Sequence, residues 1–298
     1  MAIQFSIYTC QPIPTGAKPP DISSEDAGLW SPLSCTLIYT TDNAVLVDCP
    51  PSIAATTELA TWVKSKLPAG CILKYFLASH AHGDHFMGFP ILQDIFPGIT
   101  AIATQSVTEG VTLQYSPGIY NGLWKQNFPS TEAGTGLPLA KADFQPLQSN
   151  ELDLDGYLIQ VYDVLHGDCH ANSFIYVPEL DLVVAGDIVY NGDCHQWLGE
   201  ASTQKKRDEW VEAISQIAAL KPKVVVPGHT FTPILEPSEA LAASMLKGTE
   251  DYIRGFEEEL SMAESEEDLV QRMRARYSRW NLYILHGGCR AGMLARQS

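Results

Sequence analysis

Ser79-His80-Ala81-His82-Gly83-Asp84-His85 places three imidazoles and a carboxylate within six positions, directly after the apolar run at 72–78. Imidazole and carboxylate are ligands for borderline divalent metals, zinc first. The chain has 8 histidines in all, so three in one short turn is a concentration of ligand type. The run at 72–78 reads as a buried strand. A strand ending in His80 and His82 sends alternate side chains to one side. Gly83 lets the backbone turn, and Asp84 and His85 fall where a helix at roughly 86–96 begins. His80 and His82 are thus placed to grip one metal, and Asp84 and His85 a second beside it.

Outward from this stretch, the composition is that of an ordinary globular protein: 298 residues, 45% hydrophobic and 18% charged. The net charge of −16 opposes binding to a phosphate backbone, which needs a basic footprint. It equally opposes docking on an anionic membrane. No run reaches the ~18 apolar residues of a transmembrane helix, and the amino terminus lacks a basic segment followed by a long apolar one. The 7 cysteines are scattered, with no Cys-x-x-Cys pair. The expectation is a cytoplasmic protein with reduced thiols. Cys169 and Cys194 lie near the histidine motifs and read as small buried residues before ligands.

The rest of the chain alternates strands and helices. A first strand at 3–9 precedes an irregular lead-in, then a hairpin at 35–40 and 44–47. A helix is expected at 52–66, with Ile53, Leu59, Trp62 and Val63 on one side. A short strand follows at 99–103. Residues 112–145 form the least regular stretch, rich in aromatics, Gly and Pro. It reads equally as an ordered lid over a pocket and as an ordinary packed insertion. Strands are expected at 158–164, 173–177, 182–185 and 223–226. A helix is expected at 207–220, with Trp210, Ile214 and Ile217 at helical spacing. The remainder is helical, with starts near Ser238 and at the capping box Ser265-x-x-Asp268. The apolar run at 280–285 is expected to tuck against the body. Strands followed by helices, twice over, imply two β-rich halves covered by helices.

His80-x-His82-x-Asp84-His85 resembles the signature of the metallo-β-lactamase-fold hydrolase superfamily. The resemblance implies an α/β fold, an αββα sandwich of two mixed sheets flanked by helices. It implies one domain over 1–298, with a core at about 34–230, the insertion at 112–145 and a helical C-terminal extension at 237–298. It also implies further ligands downstream, in order. In Leu165-His166-Gly167-Asp168-Cys169-His170 the preferred ligand is His166, directly after a strand, where the family puts its third histidine. His170 is the second choice, or a pocket wall. Asp187, ending a strand in Gly-Asp, corresponds to the family's bridging aspartate, and His229 completes the set. The implied shells are His80, His82 and His166 on one metal, and Asp84, His85 and His229 on the other, with Asp187 between. Asp48 stands behind the metal-binding histidines as a carboxylate accepting an imidazole N–H.

The implied cofactor is two zinc ions per chain, with iron or manganese as the alternatives. The implied nucleophile is a metal-bridging hydroxide, since zinc lowers the pKa of water toward ~7. Asp84 steers the proton of the attacking water. Tyr190, three positions after Asp187, matches the superfamily's lactone hydrolases, in which such a hydroxyl reaches the substrate oxygen. His195 and Trp197 continue that loop toward the pocket mouth. The expected function is hydrolysis of a small cyclic ester or amide, a lactone or lactam. The alternative is a thioester hydrolase of the hydroxyacylglutathione hydrolase type. A true β-lactamase and a diiron redox protein rank lower. The expected partner is a small molecule, with no nucleic acid and no membrane.

Overall fold

Alternation along the strands sorts the apolar residues into three layers of core. In the computed structural model, which describes residues 2–16, 28–129, 136–279 and 282–297, Val45 and Val47 of one strand face one layer while Ala44 and Leu46 face another. That strand is β5 (Asn43–Val47), in a sheet ordered β1-β4-β5-β6-β7-β8. Its neighbours are β1 (Gln4–Thr9), β4 (Ser34–Tyr39), β6 (Ile72–Leu77), β7 (Thr100–Ala103) and β8 (Gln145–Pro146). The pairs β1–β4 and β4–β5 are antiparallel, and β5–β6, β6–β7 and β7–β8 are parallel. A short ribbon pairs β2 (Ile13–Pro14) with β3 (Leu29–Trp30).

The second sheet is ordered β13-β12-β11-β10-β9, from β9 (Glu151–Leu154), β10 (Tyr157–Val164), β11 (Asn172–Val177), β12 (Leu182–Gly186) and β13 (Val224–Pro227). All its pairs are antiparallel except β12–β13. Ile38, Val47 and Leu77 of the first sheet meet Val161, Ile175, Val184 and Val226 of the second in a common core. A strand buried on both faces reads as a continuous apolar run, not an alternating one.

Helices cover the two outer faces. Over the first sheet lie α1 (Ile53–Lys66), α2 (Phe89–Ile95) and α3 (Gln105–Gln114), whose Leu59, Val63, Leu92 and Val107 join Leu46 and Phe76. Over the second lie α6 (Gln204–Ala219), α7 (Glu239–Met262), α8 (Glu266–Arg276) and α9 (Leu282–Gln297). Between the two sets, α4 (Pro117–Ile119) and α5 (Lys125–Asn127) flank one π-helical turn at Tyr120–Trp124. Trp210, Ile214, Tyr252, Phe256 and Leu269 pack on Val183, Ala185 and Val225. The layers are thus the expected αββα sandwich. Ser52, Ser238 and Ser265 cap α1, α7 and α8 through their hydroxyls. No helix among the described residues is long and apolar enough to cross a membrane.

Two expectations need correction. The insertion at 112–145 is less irregular than its Gly and Pro content suggests. Its first half carries the end of α3 and then near-continuous helix from α4 to α5, with Pro117 at the first helical turn, where its missing N–H costs nothing; residues 128–129 and 136–144 are without helix or strand, as expected. Part of it, 130–135, lies outside the described residues, as do 17–27 of the lead-in and 280–281 of the apolar run. The other correction concerns the third-motif ligand and belongs to the site below.

Phe76 is fully buried, stacked on Phe89 at 5.2 Å and against Phe144 at 5.9 Å. Phe76→Ala is expected to destabilise the fold by about 3–5 kcal/mol. The shift of the guanidinium unfolding midpoint measures this.

Candidate metal centre

One end of the sandwich gathers the chemistry, because the strand ends of both sheets are stitched together there. Ser173 N–H and Oγ–H both donate to Ser79 O, at 2.9 and 2.6 Å. Ala81 N–H donates to Ala171 O and Ser34 N–H to Gly228 O. The loop after β6 carries His80, His82, Asp84 and His85. The loop from β10 to β11 carries Asp168, the end of β12 carries Asp187, and the end of β13 carries His229. The backbone accommodates this crowding at particular points. Gly186 has φ +50°, and a Cβ there would run into Ser79. A Cβ on Gly83 would lie 2.6 Å from the Trp124 indole, so only glycine lets that ring cover the histidine loop.

Each histidine of the cluster has one ring nitrogen anchored outward, which assigns its tautomer. Ser79 Oγ–H donates to Asp48 Oδ2 (2.7 Å), so Ser79 Oγ accepts from His80 Nδ1 (3.0 Å), leaving His80 Nε2 bare. His85 Nδ1 donates to Asp48 Oδ2 (3.0 Å). His229 Nδ1 donates to Pro32 O (3.1 Å). His82 is reversed: Nε2 donates to Glu200 Oε1 (2.8 Å), and Nδ1 faces Asp168 Oδ2 at 2.8 Å. Two acceptors that close require a proton or a cation between them. Asp48, at φ +61°, also accepts from Ser79 N–H at 2.8 Å, so one buried carboxylate fixes two residues of the loop.

The inward atoms form two adjoining groups. His80, His82, Asp168 and Asp187 have ligand atoms within 4.8 Å of one another, and so do Asp84, His85 and His229. Asp187 reaches both: its Oδ1 lies 3.4 Å from His85 Nε2, and its Oδ2 lies 3.2 Å from His229 Nε2 and 4.0 Å from His80 Nε2. His80 Nε2, Asp168 Oδ2 and Asp187 Oδ1 are buried without a hydrogen-bond partner. Native interiors rarely tolerate this. Bare imidazole nitrogens and carboxylate oxygens converging in this way fit divalent metal ions.

Burial and mutual charge set the protonation of these groups. Burial alone would raise Asp84, but the imidazoles of His85 and His229 outweigh it and hold its carboxyl below the usual range. Asp187 is likewise held well down by His229 and His85 against its burial. Burial pushes Asp168 up to about 6, with His82 opposing and Asp187 adding to the rise. His80 is lowered by burial and by His85. The Tyr190 hydroxyl, buried beside Asp187 and Asp168, stays protonated.

The third-motif ligand differs from the expected one. His166 lies in neither group. It is buried with Nδ1 donating to Gly167 O at 2.6 Å. Asp168 occupies the position beside His80 and His82, steadied by Asn172 Nδ2 at 2.8 Å. His170 donates to Leu165 O and lines a separate groove with Glu109 and Cys169, not the pocket over the cluster. Cys169 and Cys194 are buried and outside both groups.

The pocket over the cluster has a volume of ≈ 240 Å³ and is lined by His82, Asp84, Asp168, Asp187, Tyr190, His195, Trp197, Glu200 and His229. Tyr190 donates its O–H to Asp187 Oδ2 at 2.7 Å. The far wall of the pocket is Trp30, Ile119, Leu123, Trp124, Tyr283 and Ile284. Sequence reasoning missed Trp30, whose Nε1 donates to Asp84 Oδ2 at 2.7 Å from 54 positions away, and Glu200. For Asp168 a signal was present: Gly167-Asp168 repeats the Gly-Asp pair of Gly186-Asp187.

Solved structures share this architecture. A metallo-beta-lactamase family protein from Thermus thermophilus aligns with a TM-score of 0.64 at 16% identity, covering 98% of this chain and 93% of that one. A metallo-beta-lactamase from Pontibacter korlensis aligns with a TM-score of 0.53 at 19% identity, covering 77% and 92%. At these identities the likeness is one of fold. A search of curated proteins gives no match. The sequence profile described as the Metallo-beta-lactamase superfamily matches residues 28–229, a span that runs from Trp30's strand to the last histidine of the cluster. The chain belongs to the metallo-beta-lactamase superfamily.

Proposed function

We propose that the protein is a metal-dependent hydrolase that opens a small cyclic ester or amide, a lactone or lactam. The observation that carries this reading is the convergence of two ligand groups, bridged by Asp187, at the floor of a small pocket beside the Tyr190 hydroxyl. His80, His82 and Asp168 would hold one metal ion, Asp84, His85 and His229 a second, and Asp187 both. Bound divalent metal supplies a Lewis acid and an activated water at neutral pH. Zinc suits the imidazoles, and the third carboxylate also admits manganese or iron.

The chain's own groups do the rest. Asp84 is oriented by the Trp30 indole, so its carboxylate can align the proton of the attacking water. The water oxygen bonds to the carbonyl carbon, the ring C–O or C–N bond breaks, and the proton the water gives up by way of Asp84 ends on the leaving atom. Tyr190 is placed to give a hydrogen bond there, its proton until then held by Asp187. The helical C-terminal segment contributes to the pocket, since Tyr283 and Ile284 line it.

A glutathione thioester would need basic residues to grip its carboxylates, and no Lys or Arg lines the pocket among the described residues; Arg272 pairs with Asp268, Arg276 with Glu258 and Glu259, and Arg279 with Cys194 O. A hydrolysis screen of zinc-, manganese- and iron-loaded protein over lactones, lactams and thioesters tests the reading. No turnover with any of them would overturn it. Tyr190→Phe is expected to lower kcat by about 10²-fold with metal content unchanged by elemental analysis. An unchanged kcat would make Tyr190 a packing residue.

A further inference from the structure

We infer that the substrate carries no ionised group: it is a neutral lactone or lactam with an aromatic or aliphatic body. This rests on the hydrolase reading of the pocket and adds the chemistry of the part of the substrate that does not react.

Apart from Ser31 and Gln114, the rest of the lining, the far wall, presents ring faces and alkyl groups, from Trp30, Ile119, Leu123, Trp124, Tyr283 and Ile284. Its polar handles are turned into the protein. Trp30 Nε1 is bonded to Asp84, Trp124 Nε1 donates to Gln114 Oε1 at 2.7 Å, and the Tyr283 hydroxyl pairs with Asn127. An indole has one donor only, so neither tryptophan has an N–H left for a ligand.

The charge of the lining has one sign outside its histidines. Asp84, Asp168, Asp187 and Glu200 line the pocket, and no Lys or Arg does so among the described residues. Two cations near the site act from outside the lining. Lys206 Nζ bonds Glu200 O at 2.9 Å, and Arg279 bonds Cys194 O while stacking on Tyr252 at 4.6 Å. Lys125 and Lys141 sit over the Tyr120 ring. Two divalent ions at the floor would outweigh the three carboxylates of Asp84, Asp168 and Asp187, but that excess charge would lie at the reacting carbonyl and not along the wall. A carboxylate on the body of a substrate would therefore lie against indole and alkyl surface, with only the uncharged Ser31 and Gln114 as polar neighbours and no counter-charge. Burying an unpaired ion is strongly unfavourable.

The test separates this inference from the hydrolase reading by measuring binding without turnover. Chroman, a neutral cyclic ether with the shape of an aromatic lactone, and its ring-carboxylate analogue are titrated calorimetrically into metal-loaded protein. Chroman is expected to bind at least about 10-fold more tightly. Ile119→Arg, at a half-buried wall position, is expected to reverse the order. Equal or tighter binding of the carboxylate by the wild type would overturn the inference, as would a preference that Ile119→Arg leaves intact. Chroman selectivity in a protein that hydrolyses nothing would leave the inference standing and remove the hydrolase reading.

Discussion

Asp168→Ala is expected to lose metal, whereas His166→Ala is expected to keep it. Asp168 Oδ2 is buried and lies 2.8 Å from His82 Nδ1, an approach that requires a proton or a cation between them. His166 has its Nδ1 on a neighbouring carbonyl and lies outside both ligand groups. Loss of a coordinating side chain should weaken metal binding by at least about 100-fold, since even the outer partners of ligands are worth 10–100-fold. Loss of His166 removes one hydrogen bond and some packing, about 1 kcal/mol of stability. Elemental analysis after dialysis against a graded chelator reads the first effect, and denaturant midpoints read the second. Asp168→Asn refines the result, because it keeps the shape beside Asn172 while removing the charge. Metal loss in His166→Ala with retention in Asp168→Ala would restore the histidine to the site.

His82→Ala should abolish turnover. His82 stands between two carboxylates, Asp168 on Nδ1 and Glu200 on Nε2, both at 2.8 Å. Its removal takes a ligand from the first group and leaves Asp168 facing a void. The loss is expected to be about 10³-fold or more in kcat/KM, equivalent to ~4 kcal/mol of transition-state stabilisation, with bound metal reduced in the same preparation. Glu200→Gln bears on the same histidine from behind. It keeps an acceptor for Nε2–H and should cost far less than His82→Ala. Wild-type turnover in His82→Ala would end the metal-hydrolase reading.

The strands were readable because burial on both faces makes them near-continuous apolar runs: β5, β6, β12 and β13 each lie between helix and opposing sheet. The helices were readable through Trp210, Ile214 and Ile217 and through the serine caps. The insertion was misread because its Gly and Pro signal turns, yet Pro117 starts a helix instead of breaking one. In the site, His80 to His85 were legible because they are contiguous, and Asp187 and His229 because each follows a strand end directly. Asp168 was obscured by its neighbours. Two histidines flank it in sequence, and imidazole is the commoner expectation there, but the β10–β11 loop turns both away. Trp30, Glu200 and Tyr283 carried no local signal at all. They reach the site only through the docking of β3, the loop before α6, and α9.

The wall and the floor of the pocket come from different stretches of the chain. Every inward ligand falls between His80 and His229, while the wall runs from Trp30 to Ile284. During synthesis, all seven candidate ligands emerge from the ribosome before Tyr283 and Ile284 do. A chain interrupted before α9 would lack Tyr283 and Ile284, and with them one side of the pocket. The last helix to be made, not the last of the candidate ligands, completes the lining.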